Sequence, residues 1–403
     1  MFEIIFAALV TAFTGAPLAV FVRYRTTILA NWREPVLRHP VLIVESDDWG
    51  AGPSRQAQSL TRIADTLAEF KDCTGHPPVM TLALVLAVAD GPEIRRSGDY
   101  RRRTLTHPSY ETLRQAIAYG VGKGVFALQL HGMEHYWPAA LMASDDEEVQ
   151  KWLRADMPQA TESLPSPLQS RWTDASVLPS KDHAPEAVRR AAAEEVKLYN
   201  TLFGTLPEVA VPTTFVWNDT VEAAWAEAGV NLVVTPGVRK QCRDAQGRPS
   251  CQDKRIHNAE RGRGIHYIVR DDYFEPMLGH TADSALAALE RKTRCGRPCL
   301  LETHRANFID ASYSGEQALQ ELARLLRLSL QRHPTLRFTS TERLARALIA
   351  RDEQWVDIRP VRRLQVLALR LDNIPRLGKL ARFSGISAVL RATATIINRL
   401  KRG

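Results

Sequence analysis

The chain has 403 residues, 45% of them hydrophobic and 24% charged, which excludes a disordered or fibrous protein and leaves room for one large core or two ordinary ones. A formal net charge of +8 points to an anionic partner. The basic residues are dispersed, however, except at 95–103 and beyond 352, and no nucleic-acid motif accompanies them, so no nucleic acid is expected and anionic membrane lipid is the better candidate.

The run FEIIFAALVTAFTGAPLAVFV, residues 2–22, approaches the length that spans a bilayer, although Glu3 and Pro17 interrupt it. It lacks the basic start of a secretory signal, and Arg23, Arg25 and Arg33 follow it. Residues 1–25 are therefore expected to form an apolar membrane anchor or monotopic segment, and the positive-inside rule places the main domain in the cytoplasm. A periplasmic or secreted protein with an atypical signal is the alternative. The odd count of five cysteines argues against a complete disulfide framework. Cys242 with Cys251, or Cys295 with Cys299, could bridge locally, but neither pair has zinc-ribbon spacing, and free thiols are the simpler reading.

From 40 to 350 the chain alternates. Strand-like runs fall at 41–46, 79–86, 125–130, 209–216, 231–235, 265–270, 299–303 and 335–339. Apolar residues at three- and four-residue spacing predict helices at 54–70, 108–120, 185–203, 220–228, 282–293, 314–331 and 341–350. Short apolar runs separated by helices imply an α/β fold, an irregular (β/α) barrel of seven to eight strands, with its chemistry on the loops after the strands. The proline-rich stretch 136–184 reads as an insertion or lid over the mouth, and 236–263 as a polar surface loop. Residues 352–403 predict a basic, amphipathic helical tail that lies on a membrane surface or packs on the domain.

Polar residues gather after three of these strands. The first strand ends VLIVESDDWG, with Asp47 and Asp48 adjacent; the third runs into HGMEHYWP, with His131 and His135; the seventh ends LLETHRANF, with His304. Two imidazoles and a carboxylate suit zinc or another first-row divalent ion. A second carboxylate can take a proton from water, and a further histidine can protonate a leaving group, as metal-assisted hydrolysis of an amide or ester requires. Trp49, Trp137 and Trp217 each follow such residues and could stack on a sugar or simply fill the core. Asp271, Asp272 and Tyr273 could touch substrate or form a polar turn. HGMEH also spells a zinc-peptidase pattern, which requires both histidines on one continuous helix; a strand leading in, Gly132 and Pro138 favour a loop.

These motifs, over roughly residues 40–345, resemble the polysaccharide deacetylase family of carbohydrate esterases: Glu45-Ser46-Asp47-Asp48, then His131 to His135, then Leu301-Glu302-Thr303-His304. The resemblance implies an irregular (β/α) barrel and a metal-dependent deacetylase. Asp47 would be the catalytic base, Asp48, His131 and His135 the metal ligands, and His304 the general acid. The cofactor would be a divalent metal, zinc first, with cobalt, manganese or nickel as alternatives. The substrate would be an N-acylated sugar in a glycan, an exopolysaccharide or a lipid-linked glycan. The chain departs from the family in three places: Glu45-Ser46 stands before the acid pair, Gly132 follows the first histidine, and VAVPTTFVWND lacks the arginine that braces the base. Arg305, beside the presumed acid, is the candidate replacement. The missing brace also leaves open a catalytically inactive, glycan-binding barrel.

Overall fold

A computed structural model describes residues 2–309 and 313–386 together with 388, 390 and 392; the side chains of 2–16, 251–254 and 313–314 lie outside that description. Nine strands form one sheet, every pairing parallel: β1 (Val41–Gly50), β2 (Met80–Val85), β3 (Phe126–Leu130), β4 (Val209–Ala210), β5 (Leu232–Thr235), β6 (His266–Val269), β7 (Asp272–Tyr273), β8 (Cys299–His304) and β9 (Arg337–Phe338). The path runs β6-β5-β4-β3-β2-β1-β8-β7, with β9 beside the start of β1. Its two ends, β6 and β7, are consecutive in the chain, separated by Arg270 and Asp271 alone. In a flat sheet β6 and β1, five steps apart, would be about 24 Å from each other. Arg270, at the end of β6, instead bonds Asp47 of β1 at 2.6 Å. The sheet is therefore rolled into a curled, barrel-like shell.

Helices α1 (Phe2–Arg33), α2 (Gln56–Ala68), α3 (Glu111–Gly122), α4 (Pro185–Phe203), α5 (Asp219–Ala228), α6 (Ala282–Arg294), α7 (Tyr313–Arg332), α8 (Thr341–Ala350), α9 (Pro360–Asp372) and α10 (Leu377–Phe383) accompany it. In α2, Leu60, Ile63, Ala64 and Leu67 form the buried stripe that the three- and four-residue spacing requires. All ten residues of β1 are buried, as expected of a parallel strand covered on both faces. Eight strands thus lie where the apolar runs predict them.

Two segments differ from the sequence reading. The run 209–216 stays in the sheet only as Val209–Ala210. Pro212 has no amide hydrogen to give a ladder, and Thr214 and Phe215 turn away in the left-handed region, each at φ 53°. The stretch expected as a polar loop carries a two-stranded antiparallel ribbon, Val238–Arg243 with Pro249–Arg255. Cys73, Cys242, Cys295 and Cys299 are free thiols.

Below the start of the strands, α1, α9 and α10 pack around Ile28, Leu367, Leu371 and Leu377. The described part of the basic tail therefore packs on the domain. A buried clasp fixes this platform to the barrel. Glu34 accepts from Arg297 at 2.7 Å and from Asn258 at 2.9 Å, and lies 3.3 Å from His257 and 3.4 Å from Arg370. Arg370 donates to the carbonyls of Asn31, Pro35 and Cys295. Among the described residues no helix is long and apolar enough to cross a membrane.

Candidate metal centre

Asp47 and Asp48 are adjacent, and successive side chains of a regular strand point to opposite faces. The β1–β2 register shifts between Ser46 and Trp49, and Asp48 adopts φ 72°. This bulge turns both carboxylates toward one mouth, at the cost of a conformation that non-glycine residues seldom adopt. Arg305, buried at 1% exposure, holds the bulge by donating to the Asp48 carbonyl. Its other nitrogens grip Glu162 at 3.0 and 3.2 Å, which ties the insertion 136–184 to the mouth.

The segment after β3 is irregular, and Gly132, at φ 113°, permits it. A Cβ there would lie 2.9 Å from the Glu134 carbonyl oxygen. The loop returns His135 beside His131, with ring centroids 4.9 Å apart. Nε2 of each histidine lies 3.3 Å from the same atom, Asp48 Oδ1. Ligands bound at about 2.0–2.1 Å in tetrahedral geometry stand about 3.3–3.4 Å from one another. His131 Nδ1 is 2.9 Å from the Val211 carbonyl, which can only accept. Nδ1 therefore carries the hydrogen and Nε2 presents its lone pair. Asp48 Oδ1 is buried with no hydrogen-bond partner among the described residues. An orphaned anionic oxygen facing two imidazole nitrogens is a donor set that fits a divalent cation.

The electrostatics of Asp48 and His135 agree with that fit. At His131 burial is outweighed by Asp47 and then Asp48, which raise the imidazole, so a cation would have to displace a proton there. Burial acts to raise the Asp48 carboxyl, but His135, then His131 and His304, hold it well below the usual carboxylate range. Burial pushes His135 down to about 4 against the pull of Asp48. It is therefore neutral near pH 7, as a metal ligand must be.

Asp47 occupies one flank. Arg270, fully buried, grips it with two parallel bonds of 2.8 and 2.6 Å. The same guanidinium meets Glu45 at 3.1 Å and Glu302 at 3.4 Å, and it lies 5.1 Å from the centre of the Phe215 ring. Burial works to raise the Asp47 carboxyl, yet Arg270 and then His131 outweigh it and hold the group below its usual range. Glu45 and Glu302 are instead raised, chiefly by burial. One guanidinium among three carboxyls thus keeps Asp47 ionised while its neighbours tend toward protonation.

His304 stands beside Asp47 on the neighbouring strand, paired with it in register, and one atom each of Asp47, Glu302 and His304 lie within 4.8 Å of one another. Its Nδ1 lies 2.6 Å from Glu275 Oε1. Burial lowers its pKa, but Glu275 and then Asp48 and Asp47 lift it to about 10, so the imidazole is a cation at neutral pH. These residues open on a cavity of about 370 Å³ that Glu162 and Gln169 of the insertion, Phe215, and Met277 and Leu278 also line.

The brace beneath Asp47 comes from Arg270, not from Arg305, which is occupied by the Asp48 backbone and Glu162. Asp47 therefore has a bracing arginine, supplied by a segment other than the one in which the sequence lacks it. Trp49 and Trp217 are buried completely and bond Ser46 and Glu222 at 2.8 Å; they are core, not sugar platforms. Trp137 stacks on His183 at 3.8 Å, away from the cavity lining. Asp272 is buried between Arg291 and Lys292, where it orders structure and cannot meet substrate. Tyr273 is 47% exposed but stands outside the cavity lining. HGMEH is not helical, and Glu134 faces Arg171 at 2.7 Å and Arg102 at 2.8 Å. The carboxylate a peptidase would need is thereby turned away from the metal ligands.

Arg270, Glu275 and Glu302 escaped the sequence reading. Arg270 left one signal: in IHYIVR a buried strand ends in a charge, as β1 does.

No family model and no curated protein matches the chain. Among solved structures it is similar to a 4-alpha-glucanotransferase from Thermococcus litoralis, at 10% identity and TM-score 0.40 over 77% of this chain; it spans only 40% of that protein. It is also similar to a putative polysaccharide deacetylase from Mycobacterium smegmatis, at 10% identity and TM-score 0.39, covering 81% of this chain and 97% of that one. A peptidoglycan deacetylase from Bacillus subtilis aligns at 8% identity and TM-score 0.37, over 78% of this chain and 94% of that one. The function proposed for the chain rests on the site itself.

Proposed function

We propose that the protein is a divalent-metal-dependent hydrolase that removes an acyl group, an N-acetyl group above all, from a sugar in a glycan, an exopolysaccharide or a lipid-linked glycan. The observation that carries this reading is Asp48 Oδ1: buried, without a hydrogen bond, and 3.3 Å from Nε2 of both His131 and His135. Asp48, His131 and His135 would hold the ion, with zinc the first choice and cobalt, manganese or nickel as alternatives. When bound, the ion supplies Lewis acidity, which polarises the acyl carbonyl and acidifies water. Asp47, ionised and held rigidly by Arg270, accepts the proton of the attacking water. His304, protonated and oriented by Glu275, delivers a proton to the departing amine, without which the C–N bond cannot break. Base and acid come from adjacent strands beside the ligand set, with an atom of each within 4.8 Å of the other, so both can reach one scissile amide.

The test is release of acetate from N-acetylhexosamine oligosaccharides and lipid-linked sugars, with chelator, and after adding back each metal. Activity that disappears with chelator and returns with zinc supports the reading; chelator-insensitive release overturns it. Asp47→Asn should keep its metal and lose turnover, whereas Asp48→Ala should lose both.

A further inference from the structure

Beyond the reaction, we propose that the outward faces of α1 and α10 dock the protein on the surface of an anionic bilayer. From residue 17 to 33 the two sides of α1 differ in what covers them, not in how apolar they are. Val20, Tyr24 and Ile28 pack against α9 and α10. Leu18, Phe21, Val22 and Leu29 point outward at 62, 44, 57 and 39% exposure. A helix apolar on both sides, with one side left exposed among the described residues, has an unfilled contact. The neighbouring α10 repeats the pattern: Leu377 is buried while Leu380 is 40% and Phe383 90% exposed.

Charge decides what fills the contact. Arg23 and Arg25 are exposed on α1, Lys379 and Arg382 on α10, and Arg376 at the cap of α10. Neither 17–33 nor 376–403 contains a single Asp or Glu. Exposed apolar side chains ringed by cations match an interface of acyl chains beneath anionic headgroups. A second copy of the chain would bring the same cations against themselves, which disfavours a dimer through this face. The Glu34–Arg297–Arg370 clasp holds the platform rigidly to the barrel, so docking would also orient the barrel.

The experiment uses the purified full chain and sedimentation with vesicles of phosphatidylcholine alone or mixed with phosphatidylglycerol. The expected result is binding to the mixed vesicles that weakens with added salt. Phe21→Ser with Leu380→Ser and Phe383→Ser, checked for folding by near-ultraviolet circular dichroism and unchanged turnover of a soluble substrate, should bind at least about tenfold more weakly. Arg376→Glu with Lys379→Glu and Arg382→Glu should lose at least about tenfold and most of the salt dependence. A wild-type chain that stays in solution with phosphatidylglycerol vesicles overturns the proposal. So does a folded serine variant that binds like the wild type. A dimer that Phe383→Ser dissociates, without vesicle binding, assigns the face to a second copy and equally overturns it. Each of these failures leaves the deacylase reading untouched, because the catalytic assay needs no lipid.

Discussion

The two ends of the strands treat a buried carboxylate in opposite ways. At the start, Glu34 is surrounded by Arg297, Arg370, His257 and Asn258, and its charge is satisfied by hydrogen bonds on both oxygens. At the finish, Asp48 is equally buried, but one oxygen has no hydrogen bond and two imidazoles face it. The first arrangement holds an N-terminal helix and a C-terminal tail on the barrel. The second leaves a polar demand unmet, and the proposed function has a cation meet it. At Glu34 complete satisfaction serves structure; at Asp48 the shortfall is what the proposed metal site would use.

Breaking each end should therefore give different symptoms. The largest effect is expected for Asp47→Asn: kcat falls by about 10²–10⁴ while metal content, measured by elemental analysis, stays the same. A wild-type rate would remove Asp47 from the chemistry. Glu34→Gln should cost about 3–5 kcal/mol in denaturant unfolding, because the buried Arg370 and the partly buried Arg297 lose their counter-charge, and the folded fraction should keep its turnover. Asp48→Asn, tested without metal, should cost less than Glu34→Gln, since it loses the charge that faces His135, His131 and His304 but no hydrogen bond at Oδ1. Equal costs at the two ends would end the comparison.

The pH profile sharpens it further. Glu34 is held well below its ordinary 4.5 by Arg370 and Arg297 against burial. A depressed carboxyl stabilises the fold above its unfolded pKa, and that stability is lost as pH falls through the lower, folded value. Glu34→Gln should thus flatten the acid side of the stability curve. At the mouth the same logic would govern the rate of the proposed reaction. Asp47 must be ionised, and Arg270 is the main group keeping it so against burial; Arg270→Met should move the acid limb of kcat/KM upward in pH. His304 must be protonated, and Glu275 contributes most to lifting it to about 10; Glu275→Gln should move the alkaline limb downward. Limbs that stay in place would show that these pairs only pack. The smallest effect is expected for Trp49→Phe, which loses the bond to Ser46 and about 1 kcal/mol of stability with no change in KM; a raised KM would restore the tryptophan to the sugar site.

The alternation of apolar runs was enough to place eight strands and the helices between them, because burial on both faces demands continuous apolar residues and amphipathic helices repeat every three or four. Asp47, Asp48, His131, His135 and His304 were legible for a related reason: charge at the end of a buried strand has few structural explanations. The brace was not. Arg270 reaches Asp47 only because the sheet rolls until strands five steps apart meet, and rolling is a property of the whole sheet that no local spacing encodes. Trp49 and Trp217 misled for the converse reason, since adjacency in sequence says nothing about which face a bulge leaves outward. Local pattern determined which residues are buried and where strands end. Tertiary structure decided which of those ends face one another, and so which cation braces Asp47, which carboxylate orients His304, and which acid faces the two imidazoles.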